Sequence, residues 1–260
     1  MLQFAVLASG STGNCSIVCR NGTAILIDAG ISAKRLLAAV AASGIDPGQI
    51  SAVIVTHEHS DHVKGLQPIL RKLHVPLYAT SGTLQHLPLG NNGEFDIRPF
   101  RAGDVFDIAG IKVKTLPVPH DAEEPVALLF ENNGTQLGLA QDLGFVSQLL
   151  ISRLRNCCAL IFESNHDVEM LKQGPYPWSV KQRIMSRHGH LSNEESCSAL
   201  LRILNARSRQ LVFGHLSQTN NHPRLVRQNG DGLRERFGQQ LEVRIALPDV
   251  PTPLIPVEND

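Results

Sequence analysis

The chain has 260 residues, of which 42% are hydrophobic and 18% are charged, a balance typical of a globular protein with a sizeable core. No apolar run approaches the length of a transmembrane helix, and no signal-peptide pattern opens the chain, which predicts a cytosolic (cytoplasmic) protein with no membrane partner. The five cysteines form no CxxC pair, so we expect small buried residues and no cysteine–metal or redox site.

The net charge is zero, but the charges are unevenly distributed along the chain. Residues 1–170 carry 12 Lys and Arg against 16 Asp and Glu, whereas residues 171–245 carry 12 against 5. The basic region 171–245 is either an ordinary solvated surface or a binding surface for a polyanion such as DNA. Charge alone favours the ordinary surface.

Short apolar runs separated by turns open the chain, at 3–8, 15–19 and 23–30. Asn21-Gly22 is a hairpin signal between the second and third runs. Ser32 is the predicted cap of a helix that continues to Ser43 and ends at Gly44. The chain therefore begins with paired strands followed by a helix.

Strands then alternate with helices. The next predicted strands are at 51–56, 75–80, 111–118, 126–132, 135–142, 159–164 and 209–215, with helical patterns near 63–73, 145–155 and 192–205. This order predicts a single α/β domain over residues 1–246, with sheets covered by helices. The proline-rich segment 247–260 is predicted to be a C-terminal tail, either extended over the surface or disordered.

A run of metal-ligand residues follows the strand at 51–56. It reads THEHSDH and contains His57, His59, Asp61 and His62. An extended chain directs residues two apart to the same side, so His57 and His59 can meet one ion. Asp61 and His62 follow as the chain turns and can address a second ion. Imidazole and carboxylate ligands suit zinc, and they also admit manganese or iron.

Three further candidate ligands share one pattern, an apolar strand with a ligand residue at its end. They are His120, Asp142 and His215. Each is weak alone, because a lone histidine is more often a hydrogen-bonded structural residue. Their shared position strengthens the prediction, since strand ends that meet at one sheet edge form the sites of α/β folds.

Two segments are candidates for substrate contacts. The Gly- and Ser-rich turn 9–14 offers Ser11 and Asn14 to a phosphate, although the same composition suits a plain turn. His166 follows the strand at 159–164 and is either a residue near the site or part of a polar turn.

His190 is a candidate catalytic residue. It lies just ahead of a helix start marked by the capping-box spacing of Ser192 and Glu195. A histidine in this position can protonate a leaving alkoxide. The alternative is a loop histidine with no role in the reaction.

HEHSDH resembles the HxHxDH signature of the metallo-β-lactamase superfamily. The further pieces occur in the family's order, with Asp28 in AILIDAG, then His120, Asp142 and His215. The resemblance spans nearly the whole chain. It implies an α/β fold of the four-layer αβ/βα sandwich type, with two mixed β-sheets flanked by helices.

The resemblance also implies two divalent metal ions, Zn²⁺ or Mn²⁺, at one edge of the sandwich. It assigns His57, His59 and His120 to one ion, Asp61, His62 and His215 to the other, and Asp142 to both. Asp28 is implied to be a buried partner that orients the ligand loop. From the sequence alone, Asp28 is equally a turn residue before Gly30.

Several segments look like those of the YycJ/WalJ-type branch of the superfamily, which is associated with 5′→3′ exonuclease activity on double-stranded DNA and with DNA mismatch repair. They are LASGSTGN, THEHSDHVKGL, ESNHD, GHLSNEE and HLSQTNN. The chain departs from that pattern at Gln141, where threonine is common, and at Phe213-Gly214, where small polar residues are common. Neither departure removes a ligand.

The leading prediction is a metal-dependent hydrolase of phosphodiesters, most specifically a 5′→3′ exonuclease. Asp61 and His190 are its predicted catalytic residues, and the basic region is its predicted DNA contact. A small-molecule cyclic-phosphate phosphodiesterase is the first alternative, which the zero net charge favours. A glyoxalase- or lactamase-type hydrolase is the second, and His190 argues against it. Relatives with this fold often dimerise, which leaves a homodimer open.

Overall fold

A computed structural model describes residues 1–90 and 92–258 of the protein. Its strands, in chain order, are β1 (Leu2–Ala8), β2 (Cys15–Arg20), β3 (Thr23–Ile27), β4 (Ile50–Ile54), β5 (Leu77–Thr80), β6 (Ile97–Phe100), β7 (Val105–Ile108), β8 (Ile111–Pro117), β9 (Val126–Asn132), β10 (Thr135–Ala140), β11 (Ala159–Glu163), β12 (Gln210–Gly214), β13 (Glu242–Ile245) and β14 (Ile255–Val257). Its helices are α1 (Ala33–Ala42), α2 (Ser60–Val63), α3 (Leu66–Leu73), α4 (Ser81–His86), α5 (Gln148–Leu154), α6 (Val168–Gln173), α7 (Trp178–Ile184), α8 (Asn193–Ile203) and α9 (Pro223–Phe237).

The strands of the described residues form two mixed sheets of seven strands each. The first sheet has the order β14-β1-β2-β3-β4-β5-β6, and the second has the order β13-β12-β11-β10-β9-β8-β7. In each sheet, four neighbouring strands pair antiparallel and the next three add in parallel; the antiparallel strands are β14-β1-β2-β3 in the first sheet and β7-β8-β9-β10 in the second. Both sheets therefore have the same pattern of strand directions.

The predicted hairpin and first helix are confirmed. Asn21 and Gly22 have φ of 48° and 79°, as a two-residue hairpin turn between β2 and β3 requires. The Ser32 hydroxyl caps α1 by accepting from the Arg35 backbone N–H. Gly44, with φ of 79°, follows the helix end and supplies the left-handed conformation that turns the chain.

The two sheets pack face to face over a shared core. Phe4 and Ile25 from the first sheet lie in one cluster with Phe130 and Ile161 from the second. Burying each of these side chains contributes about 1.5–3 kcal/mol. Helices α1 and α3 cover the outer face of the first sheet, and α5, α8 and α9 cover the outer face of the second. The predicted four-layer αβ/βα sandwich is confirmed.

The proline-rich segment predicted as a C-terminal tail is extended, and it adds an edge strand to the first sheet. Strand β14 lies within this segment and pairs antiparallel with β1, with Leu2 opposite Val257. Thr252 is buried, and its hydroxyl oxygen accepts from the Val6 backbone N–H at 2.9 Å. The part of the segment up to residue 258 therefore packs on the domain, and residues 259–260 lie outside the described residues.

None of the helices formed by the described residues combines the length and the apolar composition that crossing a membrane requires.

Candidate metal centre

The candidate site lies where strands of both sheets end. Asp28 follows β3, Asp142 comes two residues after β10, and His215 follows β12. These three residues have φ of 57°, 58° and 56°, a left-handed conformation that costs a non-glycine residue about 1–2 kcal/mol. The turn ends each strand abruptly, so the side chain lies at the sheet edge instead of on a sheet face. Backbone strain of this kind clusters at functional sites.

The loop that carries the HxHxDH run packs tightly against the chain after β3. The Ala29 backbone N–H donates to the His62 carbonyl at 2.7 Å. A Cβ atom added to Gly30 would lie 1.6 Å from the Asp61 carbonyl oxygen, so this contact requires glycine. The hydrogen bond and the close approach at Gly30 thus fix the position of the HxHxDH run.

The second sheet contributes His120 through the loop between β8 and β9. The Glu58 carboxylate accepts from the Glu123 backbone N–H at 2.7 Å, and the Thr80 hydroxyl donates to the Glu124 carbonyl at 3.0 Å. Glu58 and Thr80 belong to the first sheet's half, so these bonds hold the loop across the gap between the sheets. His120 is thereby placed beside His59, with 3.2 Å between Nε2 of His120 and Nδ1 of His59.

Seven predicted ligands come together in overlapping groups. Each group offers ligand atoms that lie within 4.8 Å of one another, and the groups are His57, His59 and His120; His57, His62 and Asp142; and Asp61, His62 and His215. Asp142 lies in the middle. Its carboxylate oxygens are 3.2 Å from His62 Nε2, 3.4 Å from His215 Nε2 and 3.8 Å from His120 Nε2.

Four of the five candidate ligand histidines use Nδ1 to contact the protein. His62 Nδ1 is 2.8 Å from Asp28, His215 Nδ1 is 3.1 Å from Glu163, His120 Nδ1 is 3.1 Å from the Gly189 carbonyl, and His57 Nδ1 is 3.1 Å from the Thr56 hydroxyl. A donor bond from Nδ1 fixes the ring and leaves Nε2 as the metal-binding atom. His59 differs, because its Nε2 donates to the Asp121 carbonyl and its Nδ1 faces the cluster.

These residues fit a divalent metal ion. His57 Nε2 is buried without a hydrogen-bond partner among the described residues, and such an orphaned atom is costly unless something binds it. The ligand atoms around it are imidazole nitrogens and carboxylate oxygens, the donors that zinc and related ions take. The cluster is therefore suited to bind divalent metal.

The electrostatics of the cluster favour a cation. Burial lowers the pKa of His57 well below its usual range, and it also lowers the pKa of His120. Burial opposes the charge on His62 and His215 too, but Asp142 and the other nearby carboxylates raise the pKa of His62 well above its usual range and that of His215 to about 10. Although burial opposes its charge, Asp142 has a pKa held well below its usual range by His215 and His62. The carboxylates therefore attract positive charge to the site.

Glu163 is a site residue that the sequence analysis missed. It is fully buried, and one oxygen lies 2.8 Å from His190 Nδ1 and 3.1 Å from His215 Nδ1. The other oxygen accepts from the Leu143 backbone N–H at 2.7 Å. Glu163 ends strand β11, so the pattern that identified Asp142 and His215 also applied to it.

The cluster opens into a cavity of about 320 Å³. The residues that line it are Ser11, His59, Ser60, Asp61, Asp142, Arg183, His190 and His215. All of these side chains are polar. Arg183 forms an ion pair with Asp121 at the rim. A pocket for an apolar acyl group is lined mainly by hydrophobic side chains, so this cavity suits a charged, hydrophilic group better.

The predicted phosphate contacts are placed differently from one another. Ser11 lines the cavity. Asn14 is buried, and its amide donates to Asp61 at 3.2 Å while its oxygen accepts from the Gly10 backbone N–H at 2.9 Å. Its hydrogen bonds are thus made within the protein. His166 lines a separate neighbouring pocket together with three glutamates, Glu169, Glu194 and Glu195, a poor environment for a phosphate.

Gln141 and Gly214, at which the chain departs from the YycJ/WalJ-type pattern, are neighbours in space. A Cβ atom added to Gly214 would lie 2.5 Å from Gln141 Nε2, so the glutamine amide fills the space that a side chain at position 214 would need. Gln141 also lies 3.5 Å from the Ser9 hydroxyl, which accepts from the His215 backbone N–H at 2.7 Å. The large residue and the glycine therefore compensate each other beside His215.

A model of the Beta-lactamase superfamily domain matches residues 23–216, which include all the residues of this cluster. The chain belongs to this family. Among curated relatives, it is 39% identical over 258 residues to the exodeoxyribonuclease YycJ of Bacillus anthracis, a match that covers 96% of this chain and 97% of YycJ. It is 34% identical over 261 residues to the exodeoxyribonuclease WalJ of Streptococcus pneumoniae, which covers 97% of each chain.

Solved structures share the fold. Zn²⁺-bound PqqB from Methylobacterium extorquens superimposes with a TM-score of 0.73 at 18% identity, covering 97% of this chain and 99% of PqqB. YhfI from Bacillus subtilis, described as a metallo-beta-lactamase fold protein, gives a TM-score of 0.71 at 17% identity, covering 96% and 98%. At these identities the likeness establishes the fold alone.

Proposed function

We propose that this member of the beta-lactamase superfamily is a metal-dependent 5′→3′ exonuclease on double-stranded DNA that holds two ions, Zn²⁺ or Mn²⁺, per chain. The exodeoxyribonuclease names of the two relatives that match over almost their full length support the reaction class. A place in DNA repair and the 5′→3′ polarity stay predictions of the resemblance.

One observation carries the proposal. The metal-ligand cluster, His190 and Arg183 all face one polar cavity. A phosphodiester needs a group that activates water, a positive group for the phosphate oxygens and an acid for the leaving oxygen. The cavity brings candidates for all three together.

In this proposal the ions have separate ligand sets joined by one carboxylate. His57, His59 and His120 would hold one ion, Asp61, His62 and His215 would hold the other, and Asp142 would be a ligand available to both. When bound, such ions lower the pKa of water and stabilise the charge that develops on phosphate oxygens. Asp61, which is partly exposed to the cavity, also orients the attacking water. Asp28 and Thr56 contact Nδ1 of His62 and His57, respectively, and so orient these two rings.

His190 acts as the acid in this proposal. The bond from its Nδ1 to Glu163 fixes the ring in the cavity wall and leaves Nε2 to give a proton to the leaving oxygen. Glu163 is thus a positioning residue for both His190 and His215.

Only part of the basic region 171–245 can contact a substrate in the cavity. Arg183 lines the cavity. Arg207 and Arg209 directly precede β12, whose other end leads to His215, so they lie at the opposite edge of the sheet. We therefore leave Arg207 and Arg209 out of the proposed DNA contact and place that contact first at the part of the region around α7.

The test is hydrolysis of 5′-phosphorylated linear duplex DNA by protein loaded with Mn²⁺ or Zn²⁺. Stepwise release of nucleotides from the 5′ end would support the proposal. Cleavage of a small cyclic phosphodiester without cleavage of DNA in either metal would replace it with the small-molecule alternative.

Two variants separate the proposed roles. Asp142→Ala should lose bound metal and activity together, and two retained ions per chain would refute the shared-ligand role. His190→Ala should keep its metal and lose most DNA cleavage, so normal turnover would exclude the proton-donor role. Metal content measured by elemental analysis distinguishes the two cases.

A further inference from the structure

The segment that forms one rim of the cavity is basic throughout. Residues 170–193 contain Lys172, Lys181, Arg183 and Arg187 and no acidic residue. Arg183 and His190 from this segment line the cavity itself. A segment of this charge attracts a polyanion such as the phosphate backbone of nucleic acid and repels a basic partner.

The segment is held to the protein, yet its tryptophan is not packed. Tyr176 donates from its hydroxyl to Thr219 at 3.4 Å, and the buried Lys181 donates from Nζ to the Lys172 carbonyl at 2.6 Å. Trp178 begins helix α7, directly after Pro177, and 60% of it is exposed. A tryptophan on a fixed helix with its ring in solvent offers a flat aromatic face to a ligand.

We propose that Trp178 is a stacking platform for a base at the end of the DNA substrate. This inference rests on the proposed function and narrows its substrate class. Aromatic side chains among basic residues bind single-stranded nucleic acid by stacking on bases while the basic residues contact the backbone. Trp178 with Arg183 and Arg187 has this composition.

The distances on helix α7 suit such a contact. Trp178 and Arg183 are five residues apart, which corresponds to about 8 Å along a helix axis. Five residues also turn about 140° around the axis, so Trp178 and Arg183 lie on different faces of α7, and a strand with its phosphate at Arg183 and His190 brings a base to Trp178 where it passes around the first turn of the helix. Inside a duplex, both faces of each base are covered by its neighbours, so the base must be terminal or unpaired. The favoured substrate is thus a duplex end with a short single-stranded overhang.

The kinetic test compares metal-loaded wild type, Trp178→Ala and Trp178→Phe on blunt and overhanging duplex ends. Trp178→Ala should raise KM for the overhanging end about tenfold with kcat nearly unchanged, and Trp178→Phe should retain most of the affinity. Hydrolysis of an abasic dinucleotide, which has no aromatic ring to stack, should be the same in all three. Leu201→Ala, which changes an exposed apolar residue far along α8, is the matched control.

An abasic nucleotide identifies the stacked base. Placed at successive positions of the overhang, it should weaken wild-type binding at one position and leave Trp178→Ala unaffected there. Equal KM values for wild type and Trp178→Ala on the overhanging end would overturn the inference. So would an abasic effect of the same size in both proteins.

Fluorescence provides a test that does not depend on cleavage. Trp178 is the single tryptophan of the chain, so its emission reports on this site alone. Quenching by a single-stranded oligonucleotide supports stacking, and unchanged emission overturns it. A blue shift with anionic phospholipid vesicles, without a response to the oligonucleotide, would instead assign the residue to a membrane surface. If wild type cleaves no DNA, the proposed function fails, and the oligonucleotide titration still decides the stacking inference.

Discussion

Glu163 contacts two histidines of the site with a single oxygen atom. Burial opposes the charge on Glu163, but His190 and its hydrogen bonds keep its pKa below the usual range. It therefore combines a negative charge with two orienting hydrogen bonds. Support of this kind commonly changes metal affinity or activity by about 10–100-fold when it is removed.

We expect Glu163→Gln to lower kcat on DNA by roughly 10–100-fold while the fold is retained, because the amide keeps the shape and loses the charge. Steady-state cleavage together with metal content measures the effect. Glu131→Gln is the matched control, since Glu131 lies near the end of β9 that points away from the cavity and pairs with Lys114. Equal activity of the two variants would contradict the positioning role.

Arg183 is exposed at the cavity rim and pairs with Asp121. In Arg183→Ala we expect KM for DNA to rise about three- to tenfold. We also expect the slope of log K against log salt concentration to decrease by about one, which corresponds to the loss of one phosphate contact. Titrations at several salt concentrations measure both quantities. Arg153→Ala, on the last turn of α5 and away from the cavity, should show neither change. An unaltered salt dependence in Arg183→Ala would remove Arg183 from the phosphate contact.

At the scale of elements, α9 shows how packing can override local preference. The helix contains the sequence NGDG, which is typical of a turn. It forms nonetheless because Val226 and Leu233 are buried against the second sheet and Gly230 lets the helix approach β13 closely. A Cβ atom at Gly230 would lie 2.7 Å from the Val243 side chain, whereas nothing lies within 4 Å of one at Gly232.

These two glycines make a matched pair. Gly232→Ala should stabilise the protein by about 0.5–1 kcal/mol, because alanine loses less backbone entropy on folding. Gly230→Ala should destabilise it by about 1–3 kcal/mol, because the added methyl group overpacks the contact with β13. Denaturant unfolding of both variants measures the difference. Equal shifts in stability would mean that the close approach to β13 does not limit the helix.

The contrast between local sequence preference and tertiary packing also explains which elements could be predicted from the sequence. Strands β1 to β5 and β8 to β12 were predicted because their apolar runs are bounded by turn residues. Strand β13 reads EVRI, is not fully buried and lies at a sheet edge, so no local pattern marks it. Helix α9 and strand β14 were missed because tertiary contacts decide their conformation. The pairing of β14 with β1 joins opposite ends of the chain, which no local signal indicates.

Within the site, strand ends were predictable and side-chain directions were not. The sequence predicts that the segment after β11 lies close to the site and indicates His166 as its contact residue. The structure directs Glu163 to His190 and His215, and places His166 in the neighbouring acidic pocket. Successive side chains of a strand point to opposite sides, so a strand end displaced by one residue changes which side chain faces the site. The sequence does not fix that position to within one residue.

For the whole molecule, the candidate metal ligands join the two halves of the sandwich. His57, His59, Asp61 and His62 follow β4 of the first sheet, whereas His120, Asp142 and His215 follow strands of the second. Metal bound by both sets stabilises the folded state, because the unfolded chain lacks the assembled site.

We therefore expect a chelator to lower the melting temperature of the wild-type protein by roughly 5–10 °C, for an ion present at about 100 times its Kd. Differential scanning calorimetry with and without EDTA measures the shift. Asp142→Ala should show a much smaller shift, because one shared ligand is missing. A wild-type melting temperature that EDTA does not change would contradict metal binding across the two sheets.

The pairing of β14 with β1 places Leu2 directly beside Val257. Strand β1 runs toward the candidate site, so both residues lie at the far edge of the first sheet. An affinity handle or a surface linker attached beside Leu2 or Val257 would therefore point away from the cavity. The protein could be immobilised on a bead through either position while the cavity faces the surrounding solution, so that the proposed cleavage of DNA could be followed on single molecules.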